Sequence, residues 1–96
     1  MSDALDTLTV NWEEDGVLKV KELKKHVLSK GAWATIMFFY QELDPKTQEY
    51  RDPKISIRRY KKRGEQYLAQ SKFNISSEAQ GKEIARMIHE WYPSQN

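Results

Sequence analysis

The sequence has no cysteine, only three prolines and four glycines, and no long apolar run. Without cysteine the chain has no disulfide, no thiol nucleophile and no Cys-ligated zinc or iron–sulfur site. No segment approaches the ~18 uninterrupted apolar residues of a membrane-spanning helix. Residues 1–16 lack the basic and apolar regions of a secretory signal. These absences favour a cytoplasmic protein, nucleoid-associated if the source is bacterial.

Residues that could support catalysis or metal binding are also sparse. The two histidines, His26 and His89, are far apart and lack the spacing of metal ligands. No serine stands in a nucleophile-elbow context, and the glycines match no phosphate-binding fingerprint. We therefore predict a protein that is not an enzyme, with no cofactor, no metal and no small-molecule substrate.

The chain of 96 residues has the length and composition of one domain. Residues 1–16 contain five acidic residues and no Lys or Arg, so the rest carries all 16 basic residues against nine acids. We expect an acidic flexible leader at 1–16, a single domain at 17–93 and a disordered tail at 94–96. Leu8, Val10 and Trp12 alternate, so the leader could also form a short strand or an arm packed on the body. A strongly basic body favours an anionic partner.

Four segments have the pattern of β-strands. The run from Trp33 to Leu43 is rich in aromatic and β-branched residues, and residues 54–60 alternate between apolar and polar. Residues 66–75 form the return strand after a basic hairpin loop, with Tyr67 and Phe73 expected on the same face. Residues 17–28 fit either a helical stripe or an alternating strand. We favour a strand because the strand predicted at Trp33–Leu43 needs a neighbouring strand to pair with.

The last element is predicted to be a helix. Ser77 and Gln80 have the spacing of a capping box, and an apolar stripe at helical spacing follows. We expect this helix to cover one face of the sheet, so the fold class is α+β, a four-stranded antiparallel sheet followed by one C-terminal helix (ββββα). The other sheet face then needs solvent, a ligand or a second subunit, which favours a homodimer. The apolar stripe of the predicted helix consists of Ile84, Met87, Ile88 and Trp91.

The strongest functional signal is basic and aromatic. Residues 51–63 contain seven basic residues and one acid. Cations displace the counterions of a phosphate backbone, and flat rings let unpaired bases stack. We predict phosphate contacts from Arg58, Arg59, Lys61, Lys62, Arg63 and Lys72, and base stacking on Tyr60, Tyr67 and Trp33. Lys19, Lys21, Lys24 and Lys25 form a second basic cluster, of which Lys19 and Lys21 are assigned to the site.

A family resemblance rests on two segments. The strand segment Ile57-Arg58-Arg59-Tyr60, followed by a basic hairpin loop at 61–65 and then by Ser71-Lys72-Phe73-Asn74-Ile75-Ser76 running into a helix, resembles the single-stranded-DNA-binding domain of the transcriptional coactivator positive cofactor four. The ββββα order is also similar to the purine-rich-element-binding repeat. The resemblance implies a dimeric single-strand binder in transcription, replication or repair. It assigns binding roles to Arg58, Tyr60 and Lys72, although Phe73 stands where that family has a glycine.

Two functions follow from these patterns. The first is binding of single-stranded nucleic acid, DNA rather than RNA being favoured, on an open basic and aromatic sheet face. The alternative is a protein–protein interaction or assembly module whose aromatic face is a dimer or partner interface. A further hypothesis is that the acidic leader lies over the basic surface and weakens non-specific binding.

Overall fold

A computed structural model describes residues 4–93, so the predicted tail at 94–96 lies outside the described residues. The strands form one antiparallel sheet in which each strand pairs with the next along the chain. Among the described residues no helix has the length and apolar character needed to cross a membrane. The elements are a 3-10 helix at Ala4–Thr7, β1 at Trp12–Glu14, β2 at Val17–Ser29, β3 at Trp33–Glu42, β4 at Lys54–Arg63, β5 at Gln66–Ile75 and α1 at Glu78–Trp91.

The α+β class is confirmed, but the predicted number of four strands is wrong because the sheet has five. The additional strand, β1, lies inside the predicted leader and pairs with β2. Asp15 and Gly16 both have positive φ, 53° and 77°, which is the requirement of the tight two-residue turn that joins antiparallel strands. The ambiguous segment at 17–28 belongs to a strand, as favoured.

The two faces of the sheet alternate along β3. Ala34, Ile36, Phe38 and Tyr40 are buried, and we call their side the covered face. The opposite side, which begins with the 41% exposed Trp33, is the open face. Paired residues on neighbouring strands share a face. The open face therefore contains Trp33, Met37 and Phe39 of β3, Ile55, Ile57, Arg59 and Lys61 of β4, and Lys21, Lys24 and His26 of β2.

Residues 4–11 lie against the covered face. Leu5 and Val10 are buried in one cluster with the covered-face residues of β3 and with Tyr60. The Lys25 ammonium group on β2 donates hydrogen bonds to the backbone oxygens of Leu5 and Leu8. The described part of the leader thus supplies two core side chains, because a small sheet needs an apolar layer on at least one face.

A β-bulge changes the predicted faces of β5. The pairing shifts between Arg59, which faces Ser71, and Tyr60, which faces Ala69. One extra residue on β5 reverses the alternation at that point. Phe73 therefore shares the open face with Ile57, whereas Tyr67 lies on the covered side opposite Lys62. The prediction that Tyr67 and Phe73 share a face is wrong for this reason.

Helix α1 does not cover the sheet as expected. It begins with the predicted cap, in which the Ser77 side chain accepts a hydrogen bond from the Gln80 backbone N–H. The Gln80 side chain accepts from the Ser76 backbone N–H, one residue earlier than a capping box requires. Gly81 packs closely on Ile75, but none of the 14 residues of this described helix is buried. The predicted apolar stripe is therefore largely uncovered: Ile84 and Met87 are half-buried, and Ile88 and Trp91 are exposed.

Candidate nucleic-acid interface

The alternation of β4 divides the predicted site residues between the two faces. Arg59 and Lys61 point to the open face with Trp33, whereas Arg58 and Tyr60 point to the covered face. The three residues that the family resemblance selects, Arg58, Tyr60 and Lys72, all lie on the covered side. The site residues predicted from the sequence therefore lie in two groups on opposite faces of the sheet and do not form one surface.

The Trp33 indole is the centre of the open-face group. The Arg59 guanidinium carbon lies 4.6 Å from the centroid of the ring, and the Lys61 ammonium nitrogen lies 5.4 Å from it. Both distances are within the range of a cation–π interaction. The register explains this cluster, since Trp33 pairs directly with Lys61 and Thr35 pairs with Arg59.

Two more cation–aromatic pairs lie further along β3. Lys24 places its ammonium nitrogen 5.8 Å from the Phe39 ring centroid, and Lys21 places its own 5.0 Å from the Tyr50 ring centroid. Sequence reasoning placed Lys21 and Lys24 in the second basic cluster but did not select Phe39 or Tyr50 as site residues. The register of β2 against β3 pairs Lys24 with Phe39 and Lys21 with Gln41, and two β-bulges in that pairing hide it from simple alternation.

Acidic side chains are absent from the open face of the three central strands. Within β2, β3 and β4 the sequence has two carboxylates, Glu22 and Glu42. Glu22 pairs with the buried Tyr40, and Glu42 follows Tyr40 by two residues, so both lie on the covered face. These three strands therefore place no carboxylate on the open face, and two acidic side chains from outside them, Asp52 and Glu78, line a pocket next to Phe39 and Ile55.

Three cations of the covered face, Lys25, Lys54 and Arg58, have partners within the protein. Lys25 binds leader carbonyls, and Lys54 forms an ion pair with Glu42 at 3.0 Å. The Arg58 Nε donates to the hydroxyl of Ser56, which is fully buried and donates in turn to the Asn74 side chain. These cations stabilise the fold. The described contact of Arg59 and of Lys61 is instead the Trp33 ring.

The covered-face tyrosines are packed into the protein. Tyr60 is 5% exposed in the core, and Tyr67 packs against the same cluster and donates a hydrogen bond to the Gly31 carbonyl oxygen. Burial raises the pKa of the Tyr60 hydroxyl above its ordinary value, and the neighbouring Arg58 opposes this shift. Stacking of a base on either ring would require this packing to open.

The remaining predicted residues lie at the ends of the sheet. Lys62 and Arg63 end β4 and are exposed, and Gly64, with φ 62°, turns the chain into β5. The predicted loop of residues 61–65 is shorter than expected because the strand continues to Arg63. Lys72 is exposed on β5 opposite Arg58, and Lys19 is half-buried near the start of β2.

Comparison with protein-family models, curated proteins and solved structures finds no match to this chain. The resemblance to the positive-cofactor-four domain therefore stays a prediction from its two sequence segments. Among residues 4–93 no group of three or more His, Asp or Glu side chains is placed to hold a metal ion. Within the described structure, the cation–aromatic pairs on the open face are thus the candidate binding site.

Proposed function

We propose that this protein binds single-stranded nucleic acid, DNA in preference to RNA, through the open face, without catalysing a reaction. The observation that carries the proposal is the placement of cations beside exposed rings on strands that hold no carboxylate on that face. A base that stacks on Trp33 brings its phosphate within reach of Arg59 and Lys61. Such a surface supplies both stacking and counterion release.

We assign the binding role to the open face and a folding role to the covered face. Arg58, Tyr60 and Tyr67 are held in the core or by internal hydrogen bonds. Trp33, Arg59 and Lys61 are rigidly placed by the sheet yet reachable from outside. The acidic leader, in its described part, packs over the covered face and leaves the open face uncovered. A cofactor role in transcription or DNA maintenance, in the cytoplasm or on a nucleoid, fits this proposal.

We further propose that the protein works as a homodimer. Helix α1 presents Ile88 at 49% exposure and Trp91 at 71% exposure, although both belong to one apolar stripe. An amphipathic helix is stabilised mainly by burying its apolar face. In a symmetric dimer, the exposed apolar stripe of each copy can be buried against that of the other. This helix also supports the second candidate function, an interaction or assembly module in which the apolar surfaces bind a protein partner.

Fluorescence anisotropy with a labelled 12-nucleotide single-stranded DNA tests the proposed function. We expect affinity that falls steeply with added salt, and weaker binding to duplex DNA and to RNA of the same sequence. Trp33→Leu should weaken binding by about 1–3 kcal/mol, the usual loss for one stacked base, whereas Trp33→Phe should retain part of it. Arg59→Gln/Lys61→Gln should reduce the salt dependence.

The matched control is Lys62→Gln/Lys72→Gln, which removes two charges from the covered side. It should change affinity less than the Arg59/Lys61 variant does. Absence of single-strand binding at low salt would contradict the proposal, as would equal loss in both double variants. Sedimentation of the same samples reports self-association, and an interaction module would show association that varies little with salt and no affinity for the oligonucleotide.

A further inference from the structure

We propose that a single strand runs lengthwise along β3 on the open face, over three successive cation–aromatic pairs. Lys24 of the second basic cluster then joins the binding surface together with Phe39 and Tyr50, two rings that were not among the predicted site residues. This inference rests on the function proposed above and adds a path, a direction relative to the sheet and a length. We call the three pairs the Trp33, Phe39 and Tyr50 stations, after their rings.

The three stations follow one strand of the sheet. Trp33 begins β3, Phe39 lies six residues later, and Lys21, which lies over Tyr50, pairs with Gln41 two residues beyond Phe39. Odd-numbered residues of β3 share the open face, so the two β3 rings project from the same side. Each ring has a cation within 6 Å of its centroid.

The distribution of charge gives the direction. On the open face the cations lie on β2 and β4, the two strands that flank β3. The single cation of β5, Lys72, lies on the covered side. A strand that crossed the sheet from Trp33 toward β5 would leave its phosphates without cations there. A strand along β3 meets Arg59 and Lys61 of β4 at its Trp33 end, and Lys24 and Lys21 of β2 beside Phe39 and Gln41.

The surface between the stations has room for bases. A shallow depression beside Phe39 is lined by Lys24, His26, Met37 and Ile55. Its floor is half-buried and apolar, as the flat face of an unpaired base requires. The depression lies between the Trp33 and Tyr50 stations, so the path is continuous rather than three separate contacts.

The separation of the stations sets the length of nucleic acid. Eight residues along β3, from Trp33 to Gln41, span about 27 Å at the rise of a β-strand. A stacked strand with ~3.4 Å per nucleotide fills this distance with about eight nucleotides, and an extended strand with fewer. A four-nucleotide oligomer therefore reaches one or two stations, whereas a 12-nucleotide oligomer reaches all three.

The test measures the affinity of the full chain for oligothymidylates of 4, 6, 8, 10 and 12 nucleotides. We expect affinity to rise with length until the path is filled and then to increase only weakly. Lys21→Gln/Lys24→Gln should weaken binding of the 12-mer by about tenfold and lower the slope of log K against log salt by about 1.4, since two phosphate contacts are lost. It should leave binding of the 4-mer close to that of the wild type, because the 4-mer can still bind at the Trp33 station, which keeps both of its cations.

Two further variants keep the test independent of folding defects. Tyr50→Leu removes a partly exposed ring and should weaken the 12-mer at least fivefold while sparing the 4-mer, as expected for one stacked base. Lys62→Gln/Lys72→Gln removes the same charge from the covered side and should preserve the length dependence. Circular dichroism confirms that each variant is folded.

The outcomes separate the path from the function itself. If the wild type binds the 4-mer and the 12-mer equally and both need Trp33, the lengthwise path is wrong while the proposed function stands. Equal losses in the Lys21/Lys24 and Lys62/Lys72 variants also overturn the path. If the wild type binds neither oligomer at low salt, the function and the path fail together.

Discussion

At the scale of single residues, Trp33 and Tyr60 show how position in the strand decides a role. Both are aromatic, and both belong to the predicted site. Trp33 is 41% exposed on the open face, whereas Tyr60 is 5% exposed in the core. The period of two along a β-strand sends neighbours to opposite sides, so closeness in sequence does not put side chains on the same surface.

Ser56 gives a prediction about stability at this scale. It is fully buried, donates to the Asn74 side-chain oxygen at 2.6 Å and accepts from the Arg58 Nε at 3.1 Å. Ser56→Ala should lower the free energy of unfolding by about 1–3 kcal/mol because two polar groups lose their partner. Urea denaturation measures this loss. Ser71→Ala, at an exposed position on β5, is the control, and equal losses in the two variants would contradict the role assigned to Ser56.

At the scale of elements, the leader and helix α1 exchange the roles that the sequence predicts for them. The helix was expected to cover a face of the sheet, but it touches the sheet mainly where Gly81 meets Ile75. The leader, expected to be flexible with a packed arm as the alternative, places Leu5 and Val10 in the core. These two residues are recognisable as core residues only once the sheet that they cover is known.

Leu5 tests the role of the leader. It is 3% exposed and belongs to the main core cluster. Leu5→Ala should lower the free energy of unfolding by about 2–5 kcal/mol, the cost of a cavity in a packed core. Leu28→Ala, at a position that is 51% exposed, is the control and should cost much less. A leader that contributes nothing to the fold would give a Leu5 variant as stable as the wild type in thermal unfolding.

At the scale of the whole molecule, the sheet separates two kinds of surface. Carboxylates, leader contacts and buried tyrosines collect on the covered face, and cations with accessible rings collect on the open face. A net charge of +2 describes neither surface, because it averages over both. The steering of an anionic ligand depends on the local field of the open face rather than on this sum.

The two buried tyrosines predict how stability depends on pH. Burial raises the pKa of Tyr40, with a further contribution from Glu42, and burial also raises the pKa of Tyr60. A raised pKa in the folded state means that folding favours the protonated hydroxyl. The resulting stability is complete below the ordinary tyrosine pKa near 10 and is lost as the pH rises through the folded-state values.

Urea titrations between about pH 8 and about pH 11.5 measure this dependence. The free energy of unfolding should fall toward high pH, and the decrease should be smaller in Tyr60→Phe because one ionising group is gone. Tyr92→Phe, at a position that is 79% exposed, should retain the full decrease of the wild type. Identical pH profiles for the Tyr60 variant and the wild type would contradict the prediction.

Strands β2 to β5, their antiparallel order and the C-terminal helix with its Ser77 cap follow from local sequence patterns. Apolar alternation, the Asp15–Gly16 and Gly64 turns and the helix cap act over a few residues, so they are readable along the chain. The alternation of β3 and β4 also predicts correctly which of their residues share a face. The basic and aromatic composition of the candidate site is visible at the same level.

Tertiary structure alone decides which of those residues meet. The bulge between Arg59 and Tyr60 moves Tyr67 to the other face, and the bulges of β2 place Lys24 over Phe39. The leader occupies the covered face, and the helix leaves its stripe open. These outcomes depend on competition among distant segments for one small apolar surface, and such competition has no signature in any short stretch of sequence.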